Sequence, residues 1–288
     1  MTLLHSFFMF EYCTDPDVLS TFEWFSCYLT NGKHLLFYKS FGLIILLLFI
    51  TAPLAALLGL LAAVAIKSKF LLLRLFSKAY ANIVRGIPDI IFFLFIPITI
   101  DQLIEFTRHK IKCPEIMDSV WQGSDFVVCG AAKLPLNSDP QWIHDIYGFL
   151  LAVFSFTIVY GAFAANTFYG AMNSVPQSQI ETGKSFGMSR KQIYISIIFP
   201  QMWRYALPGL SNLWMLLIKS TPLLFLLGIQ DVVYWARELG GSKTSIFQYP
   251  HPDWRVWYFL SLLVFYLLLT KISELILNRI SKKIYVPI

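Results

Sequence analysis

Gly183-Lys184-Ser185 has the ending of a phosphate-binding loop, but Ser178 stands where that loop's first glycine belongs. Without that glycine the backbone N–H groups cannot cradle a nucleotide's phosphates. Gly209-Leu210-Ser211-Asn212 lacks the closing glycine of an intramembrane serine protease motif. No His-Glu-x-x-His zinc motif occurs, the five histidines have no ligand spacing, and no nucleophile–base set stands out. The chain is therefore expected to be no enzyme, to hold no metal or cofactor, and to depend on a separate protein for any nucleotide chemistry. What remains is polar residues in apolar surroundings (Asn166, Asn212 and Lys219-Ser220-Thr221), four cysteines, and a basic stretch after residue 173.

Composition says where these residues sit. The 288 residues are 57% apolar and only 14% charged, against about 25% charged in a soluble globular protein. So much apolar surface must face lipid. The net charge of +6 is spread over short stretches between apolar segments. That pattern fixes orientation in a membrane and is not a nucleic-acid footprint. The first ten residues carry no Lys or Arg, and no small-residue cleavage site follows, which argues against a cleaved signal peptide.

Crossing a hydrocarbon core takes about 20 apolar residues. Phe41 to Ile66 carries no charge and is the clearest span, with Pro53 as an interior kink. Ile146 to Phe168, Tyr205 to Ile229 and Val256 to Leu277 give three more. Ile90 to Ile100 is short, and the reading is a helix from Tyr80 to Leu103, loosened at its start by Gly86 and Pro88. The expectation is an all-α membrane protein with five transmembrane helices.

Orientation follows from Lys and Arg in the short loops. Lys67, Lys69, Arg74, Lys78 and Arg85 stand without an acid among them and belong inside. Asp101 to Asp145 has four basic residues against seven acidic ones and belongs outside. Lys184, Arg190, Lys191 and Arg204, and the tail's Arg279, Lys282 and Lys283, belong inside. Five spans with the N-terminus outside and the C-terminus inside satisfy all of these, whereas four spans would put two strongly basic loops on opposite sides. Cys13, Cys27, Cys113 and Cys129 then all lie outside, where disulfides can form with three connectivities. Residues 1–37 form an outer tail. There Asp15 can cap a helix, with Pro16 at its first position. Val18, Phe22, Phe25 and Leu29 share one face, Trp24 and Tyr28 lie beside it, and Asn31-Gly32 is a stop. This reads as a helix in the membrane interface, the competing reading being a frayed leader.

The stretch from Val175 to Pro200 reads as helix, glycine break, helix. Pro176 starts the first helix and Gly187 supplies the positive φ of a helix end. Ser189 caps the second helix, with Gln192 completing a capping box, and Pro200 bends or ends it. A stiff, basic elbow inside the cell suits docking to a soluble partner.

This elbow resembles the "EAA" signature of ABC importer permeases. Glu181, Gly187 and Phe199-Pro200 hold the signature's positions, while Thr182 and Gly183 replace its alanines and keep small side chains for close packing. Arg85-Gly86-Ile87-Pro88 resembles the arginine–glycine–threonine–proline that opens the second span in the polar amino-acid branch. Pro200-Gln201, Arg204 to Pro208, Asn212 and Lys219-Ser220-Thr221 resemble that branch's later stretch. The similarity covers residues 38–280, leaving 281–288 as a cytoplasmic tail.

The resemblance implies the five-span fold of a type I ABC importer permease in a bacterial inner membrane. It assigns the coupling of ATP hydrolysis to Pro176, Glu181, Thr182, Gly183, Gly187, Met188 and Arg190, within a coupling loop at 173–204. It implies an ABC ATPase subunit carrying ATP and Mg, a second permease subunit, identical or paralogous, and an extracytoplasmic solute-binding protein. Polar amino-acid substrates of the basic type, such as histidine or arginine, follow from the branch alone. A charge within a span faces a cavity or a partner, so Lys219, Ser220, Thr221, Asn212 and Asn166 are the candidate pathway residues. The competing reading of these residues is packing between helices or against the second permease. The rival function is a secondary transporter or channel for small polar solutes, which would usually show inverted repeats; none is visible here.

Overall fold

The computed structural model describes residues 13, 19–116, 120–136 and 138–284. Five of its helices are long and apolar enough to cross a membrane: α2 (Gly32–Ile66), α4 (Asp89–Lys112), α5 (Gln141–Asn173), a composite helix over Arg190–Leu227, and α10 (Arg255–Ile284). Shorter helices are α1 (Thr21–Thr30), α3 (Leu71–Gly86), α6 (Gln177–Ser185) and α9 (Val232–Gly240). The composite helix is α7 (Arg190–Ile193), a π-helical turn (Tyr194–Ile198), α8 (Phe199–Ser220) and a 3₁₀ segment (Thr221–Leu227). The only strands among the described residues are the two-residue pair β1 (Trp121–Gln122) and β2 (Asp125–Phe126).

The described residues fall into two compact units. One comprises Phe49–Leu217 with the end of α10, and the other the N-terminal part to Leu48 with Ile218–Leu275.

In the first unit α5 is the central element. Small residues let its neighbours come close. A Cβ on Gly59 of α2 would lie 2.5 Å from Ala164 Cβ and 2.8 Å from the Ala165 backbone nitrogen. Gly161 faces Leu58 and the Tyr80 hydroxyl, and that hydroxyl donates to Ile158 O at 2.6 Å. Phe93 of α4 stacks on Phe156 at 4.3 Å. Tyr147 donates to Asp101 at 2.6 Å. Helix α8 runs antiparallel to α5, with Trp203 against Phe168 at 5.5 Å and Tyr160 donating to Leu216 O at 3.3 Å. Because the Ala165 backbone cannot yield, Gly59→Val is expected to cost roughly 1–3 kcal/mol or more by overpacking. A lower thermal midpoint of the detergent-purified chain would show it, with Gly42→Val, which meets nothing within 4 Å, as the neutral control.

The helix expected over Tyr80 to Leu103 is two helices. α3 ends at Gly86, Ile87 is extended (φ −114°, ψ 142°), and α4 starts after Pro88. Proline pushes the residue before it out of the helical region and lacks an N–H of its own. The segment after α4 folds back on it. Cys113 is bonded to Cys129, Arg108 donates to the carbonyls of Ala131, Ala132 and Lys133, and the Cys129 N–H donates to His109 Nδ1 at 3.0 Å.

In the second unit, α1 begins at Thr21. Ser20 caps it in a capping box with Glu23; the expected start at Asp15 and Pro16, and Val18 with it, lie outside the described residues. Cys27 is bonded to Cys13. Phe22, Phe25 and Leu29 are exposed, while Tyr28 is buried under Trp24, which stacks on it at 5.2 Å. Asn31 ends α1 and also accepts from His34 N–H at 2.9 Å. This cap starts α2 at Gly32 and not near Phe41, because hydropathy detects a helix's apolar part and not its polar first turns. The Tyr28 hydroxyl lies 3.2 Å from His251 Nε2 and 3.0 Å from the Tyr258 hydroxyl. Glu238 pairs with Lys33 and Lys243. Asp231, fully buried, caps α9 by accepting from Val233 and Tyr234 N–H at 3.1 and 2.9 Å.

Candidate coupling elbow and pathway residues

Pro176 stands at the N-cap of α6. The helix ends in a Schellman arrangement, with Met188 N–H donating to Gly183 O at 3.0 Å and Gly187 N–H to Lys184 O at 2.9 Å. This closure requires a left-handed residue, and Gly187 has φ +76°. Ser189 then caps α7, with Gln192 N–H donating to its hydroxyl and Ser189 N–H donating to Gln192 Oε1 at 2.8 Å. Pro200 does not end the helix, which continues into α8, a correction to the expectation that the helix could stop there. The preceding turn is π-helical, with Phe199 N–H bonded to Tyr194 O. That wider turn accommodates a proline that has no N–H to donate.

The elbow is locked onto its own unit. Gln201 of α8 donates to Gln179 of α6 at 2.5 Å. Ile180 and Met188 pack with Ile193, Ile197, Ile198 and Met202 in one apolar cluster. Gly183 is buried there, and a Cβ on it would lie 2.8 Å from Ile197 Cδ1 and 3.3 Å from Met188 Sδ. Its small size therefore serves internal packing. Glu181, Thr182, Gly187 and Arg190 are exposed. So is Phe186, at 83%, which sequence reasoning passed over. The signal was there: an aromatic residue in an otherwise polar turn.

The polar span residues separate. Asn166 on α5 and Asn212 and Lys219 on α8 are exposed. Asn212 and Lys219 are two turns apart, which puts them on one helix face. Ser220 is half-buried. Thr221 is fully buried, donates to Ile218 O at 2.9 Å and shares a 2.9 Å hydrogen bond with the Tyr266 hydroxyl. Thr221 is thus a packing contact and not a pathway-lining group. Past it the α-helix tightens to 3₁₀ around Pro222 and stops at Gly228, with φ +73°.

His109 lies with Cys113 and Cys129, donor atoms within 4.8 Å of one another. Both sulfurs belong to the disulfide, so the trio offers no thiolate ligand.

Comparison with known proteins gives a consistent picture. The sequence profile described as "Binding-protein-dependent transport system inner membrane component" matches residues 55–286. The arginine ABC transporter permease protein ArtQ of Escherichia coli (strain K12) is 30% identical over 205 residues, 71% of this chain and 76% of that protein. The histidine/lysine/arginine/ornithine transport system permease protein HisQ of Salmonella typhimurium is 31% identical over 231 residues, 80% of this chain and 85% of that protein. Among solved structures, an amino acid ABC transporter with histidines superposes with TM-score 0.60 at 18% identity, over 86% of this chain and 94% of that one. The MetNI methionine ABC transporter in inward-facing form superposes with TM-score 0.55 at 16% identity, over 87% of this chain and 94% of that one. Both structures share the fold of this chain.

Proposed function

The chain belongs to the binding-protein-dependent transport system inner membrane component family, and from that premise we propose that it is the permease subunit of an ATP-driven importer of basic amino acids. As a multi-pass inner-membrane component it is a transport subunit and not an enzyme. The observation that carries the proposal is the elbow. A short helix, closed at its C-terminus by the Gly187 turn and tied to α8 by Gln201–Gln179, can pass a push from a soluble motor to a span without bending. Glu181, Thr182, Phe186 and Arg190 are the groups such a motor would meet. An ABC ATPase, with ATP and Mg on it, supplies the push. A second permease subunit completes the pathway, and an extracytoplasmic solute-binding protein delivers the substrate.

In this reading the elbow faces the cytoplasm with the Lys67–Lys78 stretch, and the N-terminus and both disulfides face outside. Basic amino acids are favoured by the substrates for which the two relatives are named, arginine for one and histidine, lysine, arginine and ornithine for the other. Asn166, Asn212 and Lys219 are the proposed pathway groups.

The test is reconstitution of the chain with its cognate ATPase, permease partner and binding protein in liposomes, followed by uptake of radiolabelled L-arginine and L-histidine. Uptake that needs ATP and is abolished by omitting the ATPase is expected. Uptake driven by an ion gradient with no ATPase present would instead support a secondary transporter.

A further inference from the structure

The break between α3 and α4 falls at a revealing depth. Two polar contacts mark the ends of the apolar part of α5. At one end Tyr147 bonds Asp101, and at the other Lys67 Nζ stands over the Tyr169 ring at 5.9 Å. Tyr147 and Tyr169 are about 33 Å apart along α5 at ~1.5 Å per residue, close to the ~30 Å of a hydrocarbon core. Halfway between them is Ile158. The break lies at that level, because Ala81 before it packs in one cluster with Ala165, while Phe93 after it stacks on Phe156.

Non-helical backbone at such depth persists only where protein covers it or it lines a water-filled cavity. Gly86, Ile87 and Pro88 are exposed, so the described residues do not cover them. The break is also flanked by opposite charges, Arg85 before it and Asp89 after it. Arg85 is exposed and Asp89 half-buried, and among the described residues neither forms an ion pair. A charge at the bilayer centre is costly unless it faces a partner or a polar path. Two opposite charges four residues apart, joined by an unwound turn, match a small solute carrying both signs.

We propose that Arg85 and Asp89 are a substrate-contacting pair on the translocation pathway, Arg85 meeting the α-carboxylate and Asp89 the α-ammonium group of a passing amino acid. This rests on the importer reading above. It adds a contact point that Asn166, Asn212 and Lys219 do not supply, since none of them offers a carboxylate.

The test uses Ile87→Cys in the reconstituted transporter, which leaves both charged residues in place. All four native cysteines are in disulfides, so on this chain the new thiol is the one that a hydrophilic methanethiosulfonate reagent can modify. The thiol is expected to react, and saturating L-arginine is expected to protect it, whereas agmatine, which lacks the carboxylate, is not. Arg85→Gln and Asp89→Asn are each expected to lower L-arginine uptake by about tenfold or more, with the assembled complex still recovered on purification. Absence of ATP-driven arginine uptake by the wild-type transporter would overturn both the importer reading and this inference. Normal wild-type uptake with an unreactive thiol, or one that L-arginine does not protect, would overturn this inference alone and point to a contact with the second permease subunit.

Discussion

Gly187→Val is expected to leave the chain inserted and assembled while cutting the amount of amino acid imported per ATP by about fivefold to thirtyfold. The elbow's geometry sets this figure. Gly187 has φ +76° and a Cβ there would touch nothing within 4 Å, so the penalty is conformational and not steric crowding. A left-handed residue with a Cβ costs roughly 1–2 kcal/mol, and a β-branched one is a genuine outlier there. Relieving that strain means unwinding the Schellman closure that fixes α6 against α7. Asn tolerates the left-handed region, so Gly187→Asn should transport within about twofold of wild type. Paired measurements of uptake and ATP hydrolysis in proteoliposomes check both variants. Gly183→Leu should behave like Gly187→Val for a different reason, because the added side chain would displace Ile197 and Met188. Full coupling in both Gly187→Val and Gly183→Leu would count against a rigid elbow.

Asp231→Asn is expected to stabilise the detergent-purified chain at pH 7.5 and to do nothing at pH 4. One carboxylate oxygen of Asp231 caps α9, and the other, Oδ2, is buried without a hydrogen-bond partner among the described residues. Burial raises its pKa to about 6, against the two backbone N–H bonds, which lower it. The folded group thus keeps a proton that the unfolded chain has already released between about pH 4 and pH 6. Stability contributed by this group is present below that window and declines as pH rises through it. Above it the buried charge costs roughly 2–3 kcal/mol. Asparagine keeps the capping oxygen, and an unpaired amide N–H costs less than an unpaired charge. The thermal midpoint at pH 7.5 should therefore rise by about 5 °C, while the two proteins coincide at pH 4. A wild type more stable than the variant at pH 7.5 would mean that Asp231 is held charged by a partner.

The parts of this fold that were legible in the sequence are those decided locally. An uncharged run such as Phe41 to Ile66 has to be a span, since no other solvent suits it. Gly187, Ser189 and Gln192 announce their turn because each acts within a few residues of itself. The sequence was less informative where a tertiary neighbour decides. Gly183 is small for either an outside partner or an inside one, and only the packed structure puts Ile197 beside it. Thr221 next to Lys219 looks like a pathway residue until Tyr266, from a distant helix, is seen bonded to it. Gly86-Ile87-Pro88 signalled a weak helix start, but hydropathy averages across a two-residue kink and reads a single span. Four cysteines allow three pairings, and the choice of Cys13–Cys27 and Cys113–Cys129 depends on which backbones α1 and α4 bring together.

The most direct measurement is made at Phe186, the exposed side chain at the apex of the elbow. With all native cysteines of this chain in disulfides, Phe186→Cys labelled with a photoreactive maleimide before assembly is a single-site probe in the transporter. The predicted result is a crosslink to the ATPase subunit that changes in yield when ATP is added, together with resistance of the thiol to membrane-impermeant reagents applied to intact cells. Labelling of that thiol from outside the cell, or crosslinks to everything except the ATPase, would contradict the account.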